Sequence, residues 1–265
     1  MIVKCLSPIT LNNNTSWQMD VPCGKCAVCR EMRAKEWSTR LLHEMKEYEK
    51  FSFVTLTYAD ECLPPNLSVS KDELQKFFKR LRKNSKVKNL KYFACGEYGE
   101  QGGRPHYHSI LFGIGLRERD KELVRKSWKY GMINFGNVTI ASIKYVTGYI
   151  LKGGKIPGRA KPFQLMSKGL GRAYAIENEE YLMQNLSLTV NGYKQTLPRY
   201  YTKILNIPED IKIEKANENE KMSVEKIVSA GLNNRAEYDI AVSKARVQRE
   251  ANLKARQGLR KRNKI

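Results

Sequence analysis

The chain has 265 residues, enough for one large domain with appendages, and its 48 Lys and Arg against 27 acids leave a net charge of +21. An excess of that size and sign points to a polyanionic partner, since each phosphate neutralised by Lys or Arg releases a counterion and steers association. No run approaches the roughly 20 apolar residues of a membrane span, and the apolar stretch at the start is too short for a signal peptide; no membrane partner is expected, and nucleic acid leads.

Residues 1–22 read as irregular, with Asn12-Asn13-Asn14 and Pro22 marking loops. Cys23-Gly24-Lys25-Cys26-Ala27-Val28-Cys29 follows. Three thiols at that spacing can hold one soft cation around a glycine-containing turn, and Cys5 can supply a fourth. Zinc, an iron–sulfur cluster with the same C-x2-C-x2-C spacing, and free buried thiols all fit. The clustered cysteines are read as reduced, not as a disulfide framework.

From Ala27 to Lys50 a helix is expected, because Trp37, Leu41, Met45 and Tyr48 recur at helical spacing. His43 lies on it and reads as a surface or edge residue. Phe51 to Tyr58 is rich in β-branched and aromatic residues and predicts a central strand. Ser70-Lys71-Asp72-Glu73 is a capping box opening a helix with Leu74, Phe77, Phe78 and Leu81 on one stripe. Its other face carries Lys76, Lys79, Arg80, Arg82 and Lys83, candidate phosphate contacts, to which Arg104 is added.

Leu90–Tyr98 predicts a second strand, and Arg104-Pro105-His106-Tyr107-His108 heads a third. Successive strand side chains point to opposite faces, so His106, His108, Ile110 and Phe112 share one face. Two imidazoles about 7 Å apart along a strand can converge on one divalent ion. The short glycine-rich connection predicts an antiparallel hairpin that brings Glu97 beside them. The expected ligands are therefore His106, His108 and one carboxylate, either Glu97 or Glu100, for Mg²⁺ or Mn²⁺.

A helix over about Arg119–Tyr130 and a strand over Met132–Val138 come next. The order α-β-α-β-β-α-β fits an α+β fold: an antiparallel sheet with helices on one side. In the following helix, Ser142–Lys152, Tyr145 and Tyr149 are four apart and project together, with Lys152 extending their face. Farther on, the second half of Phe163–Gln184 is helical in pattern, and Asn191-Gly192 between two apolar runs signals a hairpin. Residues 241–265 hold nine Lys/Arg and one Glu and read as a basic, helix-prone, partly flexible tail.

A cation held by imidazole and carboxylate polarises a phosphodiester, and a tyrosine can attack it to leave a phosphotyrosyl link that conserves the bond for rejoining. A phenol has a pKa of about 10, so the metal, Lys152 or a water must help remove its proton.

His106-Tyr107-His108 and Tyr145-x3-Tyr149-x2-Lys152 resemble the two motifs of HUH endonucleases. VPCGKCAVCR, RAKEW, FVTLTY, CGEYGEQGGRPHYH, YVTGYILK and LPRYY, in that order, resemble the replication initiators of gokushovirus-type microviruses over about residues 21–202. Gly153-Gly154-Lys155 is a glycine-rich departure at the end of the tyrosine helix. The resemblance implies an RRM-like or ferredoxin-like palm and a rolling-circle initiator acting in the cytoplasm of a bacterial host. Such a protein nicks one strand at the origin of a circular replicative form and stays on the 5′-phosphate while the 3′-OH primes synthesis. Tyr145 and Tyr149 then serve two successive transesterifications. The implied partners are viral origin DNA, single-stranded DNA, and a host helicase and polymerase. The expected divisions are residues 1–50, 51–155, 156–206 and 207–265. Alternatives are a relaxase, whose tyrosine precedes its histidines, a single-tyrosine transposase, and a zinc-knuckle single-strand binder without catalysis.

Overall fold

The computed structural model describes residues 5–12, 18–99, 103–149, 156–190 and 192–228, and parts of 237–255. Its elements begin with β1 (Ile9–Asn12), β2 (Gln18–Val21), α1 (Ala27–Met45), β3 (Phe51–Thr57), α2 (Lys71–Ser85), β4 (Lys91–Tyr98) and β5 (Pro105–Phe112). They continue with α3 (Glu118–Ser127), β6 (Ile133–Gly136), α4 (Ile140–Gly148), β7 (Phe163–Met166), α5 (Arg172–Glu177) and α6 (Glu179–Asn185). The last are β8 (Ser187–Val190), β9 (Tyr193–Thr196), α7 (Arg199–Ile204) and α8 (Glu209–Val228). Residues 34–204 form one compact unit; 1–33 with 205–265 form another. None of the described helices is long and apolar enough to cross a membrane.

The larger unit is built on a five-stranded sheet in the order β6-β3-β5-β4-β7, antiparallel at every pairing. The run β3-α2-β4-β5-α3-β6 with that order is the ferredoxin-like, split βαβ arrangement. The α+β class expected from the sequence is thus present, with one correction. Helices cover both faces of the sheet, not one. Val54, Leu56, Tyr58, Ala94, Tyr107 and Leu111 pack under α2 and α3 with Leu74, Phe77, Phe78, Leu81, Val124 and Trp128. Phe93, Cys95, Ile110 and Phe112 point the other way, against Leu41 of α1 and Ile143 and Val146 of α4. Central strands of an antiparallel sheet bury both faces only when each face has its own apolar cover, and α1 and α4 supply the second. The consecutive Ile110-Leu111-Phe112, all fully buried, is its trace in the sequence.

Two further strands lie where none was expected. β1 and β2 pair antiparallel in the segment read as irregular, and their four-residue length and exposed Ile9 and Leu11 explain the weak pattern. β7 pairs on the outer edge of β4. There a Cβ on Gly96 would come within 2.9 Å of the Phe163 ring, so glycine is what lets that ring lie on the sheet.

Local signals set the helix starts. The Ser70 side chain caps α2 by accepting from the Glu73 N–H at 3.2 Å. The Glu73 carboxylate does not fold back to complete the box and instead accepts from the Tyr58 hydroxyl. Tyr58 and Tyr107 hydroxyls lie 2.6 Å apart, and the Ser70 N–H donates to Tyr107 at 2.7 Å. Tyr107, between the two histidines, is therefore anchored beneath α2, and that anchoring turns His106 and His108 to the opposite face. Burial pushes its phenol up to about 12.

α4 opens on a reciprocal cap: the Ser142 N–H donates to Thr139 Oγ1 at 3.1 Å, and the Thr139 N–H to Ser142 Oγ at 2.7 Å. Thr139→Ala should lower the unfolding free energy by about 1 kcal/mol, measurable in urea, because it orphans one of those donors.

His43 is buried, correcting the surface reading. Its ring stacks on Tyr174 at 3.5 Å between centroids, and Nδ1 lies 2.8 Å from the Tyr201 hydroxyl. Desolvation, and then the Lys46 charge, depress its pKa to about 4. The cover comes from α5 and α7, far downstream in the chain, so the spacing within α1 carried no sign of it.

Candidate active site

The β4–β5 hairpin pairs Glu97 with His106 and Cys95 with His108. All three candidate ligands project from the face that α4 covers, and their ligating atoms lie within 4.8 Å of one another. Glu97 Oε1 is 3.1 Å from His106 Nε2 and 2.9 Å from His108 Nε2. Burial pushes the Glu97 carboxyl up, but hydrogen bonds and charge from the two imidazoles outweigh it, and the net direction is down.

The outer ring nitrogens decide what the inner ones can do. His106 Nδ1 lies 3.0 Å from the Arg104 carbonyl oxygen, which only accepts, so Nδ1 carries the proton. A neutral His106 then turns its Nε2 lone pair onto a carboxylate oxygen, and two acceptors in contact require a proton or a cation between them. His108 is placed alike, with Nδ1 2.9 Å from Thr55 Oγ1, its cross-strand neighbour on β3. A neutral imidazole whose outer nitrogen is held by a second group is the form in which histidine binds metals. The donor set of two nitrogens and one carboxylate oxygen suits a divalent ion such as Mn²⁺ or Mg²⁺.

α4 brings in both tyrosines. The Tyr145 hydroxyl sits 3.5 Å from Glu97 Oε1 and 3.4 Å from His108 Nε2. Tyr149, the residue that closes α4, stacks parallel to His108 with centroids 5.9 Å apart and meets Tyr145 edge-on at 5.0 Å. The two differ in access: Tyr145 is 36% exposed and Tyr149 is 8% exposed. Desolvation raises both phenols; a hydrogen bond from Tyr149 partly offsets this at Tyr145, and the Glu97 charge adds to it at each. Phe53 completes the pocket, stacked on His108 at 5.6 Å.

Lys152 and Glu100, considered above as a tyrosine partner and an alternative ligand, lie outside the described residues. Of the candidate DNA contacts, Lys76 pairs with Asp72 at 2.6 Å. Arg80 donates to the Ser127 carbonyl at 2.8 Å. Lys79 and Lys83 are exposed. All four lie on α2, against the sheet face opposite the histidines. Arg104 reaches the site through its carbonyl, while its guanidinium is held by Asp60 at 2.6 Å and the Tyr58 carbonyl at 2.5 Å. Thr55 and Phe53 escaped the sequence reading as site residues. Strand alternation on β3 puts them on the histidine face, but only the β3–β5 register sets Thr55 opposite His108.

Residues 51–154 match the family model of the ORF2-type replication-associated proteins. The chain is similar to replication-associated protein ORF2 of Spiroplasma virus 4, 32% identical over 222 residues, which cover 72% of this chain and 69% of that protein. It is also similar to replication-associated protein VP4 of Bdellovibrio phage phiMH2K, 30% identical over 209 residues (68% of this chain, 65% of that protein). Replication-associated protein ORF4 of Chlamydia phage 1 is 27% identical over 215 residues; the match takes in 70% of this chain and about half, 53%, of that protein. No solved structure matches the chain.

Proposed function

Because this chain belongs to the family of ORF2-type replication-associated proteins, we propose that it initiates rolling-circle replication of a phage genome by nicking one DNA strand at the origin through a tyrosine. The observation that carries this reading is the Tyr145 hydroxyl, 3.4 Å from His108 Nε2 and 3.5 Å from Glu97 Oε1, where a nucleophile and a cation site would meet.

Glu97, His106 and His108 would hold the divalent ion, and the two acceptors facing each other at His106 and Glu97 fit a cation between them. Bound there, such an ion polarises a phosphoryl oxygen, offsets the carboxylate charge and favours the phenolate. Arg104 and Thr55 orient the imidazoles, and Phe53 and Tyr149 sandwich the His108 ring. The Tyr145 oxygen attacks phosphorus, the bond from phosphorus to the 3′ oxygen breaks, and that oxygen leaves as a 3′-OH primer. The exposed Tyr145 can pass its proton to water and takes the first cleavage. Tyr149, buried behind it, takes the second, after which the waiting 3′-OH attacks the first phosphotyrosine and closes the displaced strand into a circle. The partners are single-stranded and replicative-form origin DNA, and the host helicase and polymerase that extend the primer.

The test is to incubate the protein and Mn²⁺ with labelled single-stranded oligonucleotides tiled across the genome that encodes it. A denaturing gel should show an adduct on one oligonucleotide, stable to boiling and absent with EDTA. DNA retention without any adduct in Mn²⁺ or Mg²⁺ would leave a non-catalytic single-strand binder. Thr55→Val keeps the side-chain shape but removes the oxygen against His108 Nδ1. It should raise the Mn²⁺ concentration for half-maximal adduct by about 10-fold or more, the usual cost of losing a metal ligand's own partner.

A further inference from the structure

The nicking site uses none of the four cysteines at the start of the chain. Cys5, Cys23, Cys26 and Cys29 place their sulfurs within 4.8 Å of one another, with Cys5 Sγ 3.4 Å from Cys23 Sγ and 3.7 Å from Cys26 Sγ. Four sulfurs about 2.3 Å from one tetrahedral ion are about 3.8 Å apart, so the cluster already has nearly the dimensions of a single-ion site. A cluster of several irons would hold its sulfurs farther apart.

The main chain is shaped to these sulfurs. Gly24 adopts φ +71°, and the turn it makes sends the N–H groups of Lys25 and Cys26 onto Cys23 Sγ at 3.4 and 3.3 Å. The Cys23 N–H donates to Cys5 Sγ at 3.3 Å, and the Cys29 N–H to Cys26 Sγ at 3.5 Å. Such N–H groups stabilise thiolates, the form a metal needs. Moreover, the apolar cluster here consists of cysteines alone: Cys5 and Cys29 buried, Cys23 and Cys26 packed on them. Among the described residues this cluster recruits no aliphatic or aromatic side chain, so apolar burial is a weak fastener for it.

We propose that Cys5, Cys23, Cys26 and Cys29 form a closed tetrathiolate zinc site that ties the start of the chain to the first turn of α1. With all four positions taken by protein sulfur the ion has no place for water or substrate, so its role is structural, and its binding free energy is folding free energy for this segment.

The full chain purified under reducing conditions should hold one zinc per molecule at this site, released when the thiols are titrated with a mercurial. Replacing zinc by Co²⁺ should give the intense visible bands and sulfur-to-cobalt charge transfer of a tetrahedral tetrathiolate. The same spectrum should persist in the His106→Ala/His108→Ala chain, which separates this site from the nicking site whether or not the protein nicks DNA. Cys23→Ser should weaken zinc binding by more than about 100-fold, beyond the 10–100-fold cost of losing a ligand's partner. The wild-type cobalt spectrum stands as the test if that variant does not fold. A brown iron–sulfur chromophore, two disulfides found by mass in the chain as isolated, or cobalt binding without sulfur charge transfer would each overturn the assignment.

Discussion

Tyr145→Phe should abolish the covalent protein–DNA adduct, lowering its yield at least about 10⁴-fold, as expected when a covalent catalyst loses its nucleophile. Binding to the same oligonucleotide should be retained. The substitution removes one oxygen and keeps the ring, so the edge-on contacts with His108 at 5.0 Å and with Phe53 at 6.4 Å persist and folding is not at stake. Tyr149→Phe is the informative contrast. Its ring lies parallel to His108 and is nearly covered, so this variant should still make the first adduct while failing to release closed circles. An adduct that survives Tyr145→Phe and disappears with Tyr149→Phe would reverse the assigned order. Loss of DNA binding in either variant would point instead to stacking on bases. Both are read on one denaturing gel, with circle formation followed by exonuclease resistance.

Gly131→Ala should destabilise the larger unit by more than about 4 kcal/mol, in the range reserved for severe core and backbone conflicts, and leave little soluble protein. A Cβ there would overlap the Ala59 nitrogen and lie 2.6 Å from the Thr57 carbonyl oxygen. These backbone atoms cannot retreat, because the Ala59 N–H donates to the Tyr130 carbonyl at 2.7 Å and the Thr57 N–H to the Met132 carbonyl at 3.0 Å. Residue 131 also sits at φ +152°, where side chains are strained. Gly148→Ala is the control: helical, with nothing within 4 Å of its Cβ position, it should be neutral or stabilise α4 by up to about 1 kcal/mol. Urea unfolding of the two variants beside the parent chain checks both. A Gly131→Ala chain as stable as the parent would mean that the junction between β3 and the turn before β6 is looser than described.

The parts of the site that were legible are those whose geometry is decided within a few residues. Strand alternation places His106 and His108 on one face, and a short hairpin brings Glu97 to them; both follow from a period of two and from turn length. The Ser70 cap and the i, i+4 relation of Tyr145 and Tyr149 are equally local. Thr55, by contrast, is a site residue only because β3 lies beside β5 in a register 53 positions apart, and no window of sequence holds that pairing. The basic stripe of α2 was visible as charge, but not as a face turned away from the histidines. His43 looked like a surface residue until α5 and α7 covered it.

The amino-acid order alone thus determined the chemistry available: two imidazoles, a carboxylate, two phenols and four thiols, each already in its strand, turn or helix. The tertiary structure decided which of them meet. α4 could have covered either face of the sheet, and its own apolar stripe fits both; the choice belongs to Tyr107 pinned under α2 and to Phe93, Ile110 and Phe112 left bare on the other side. Burying those residues is a cooperative, non-local term in the free energy, and it is what carries Tyr145 to Glu97 and His108.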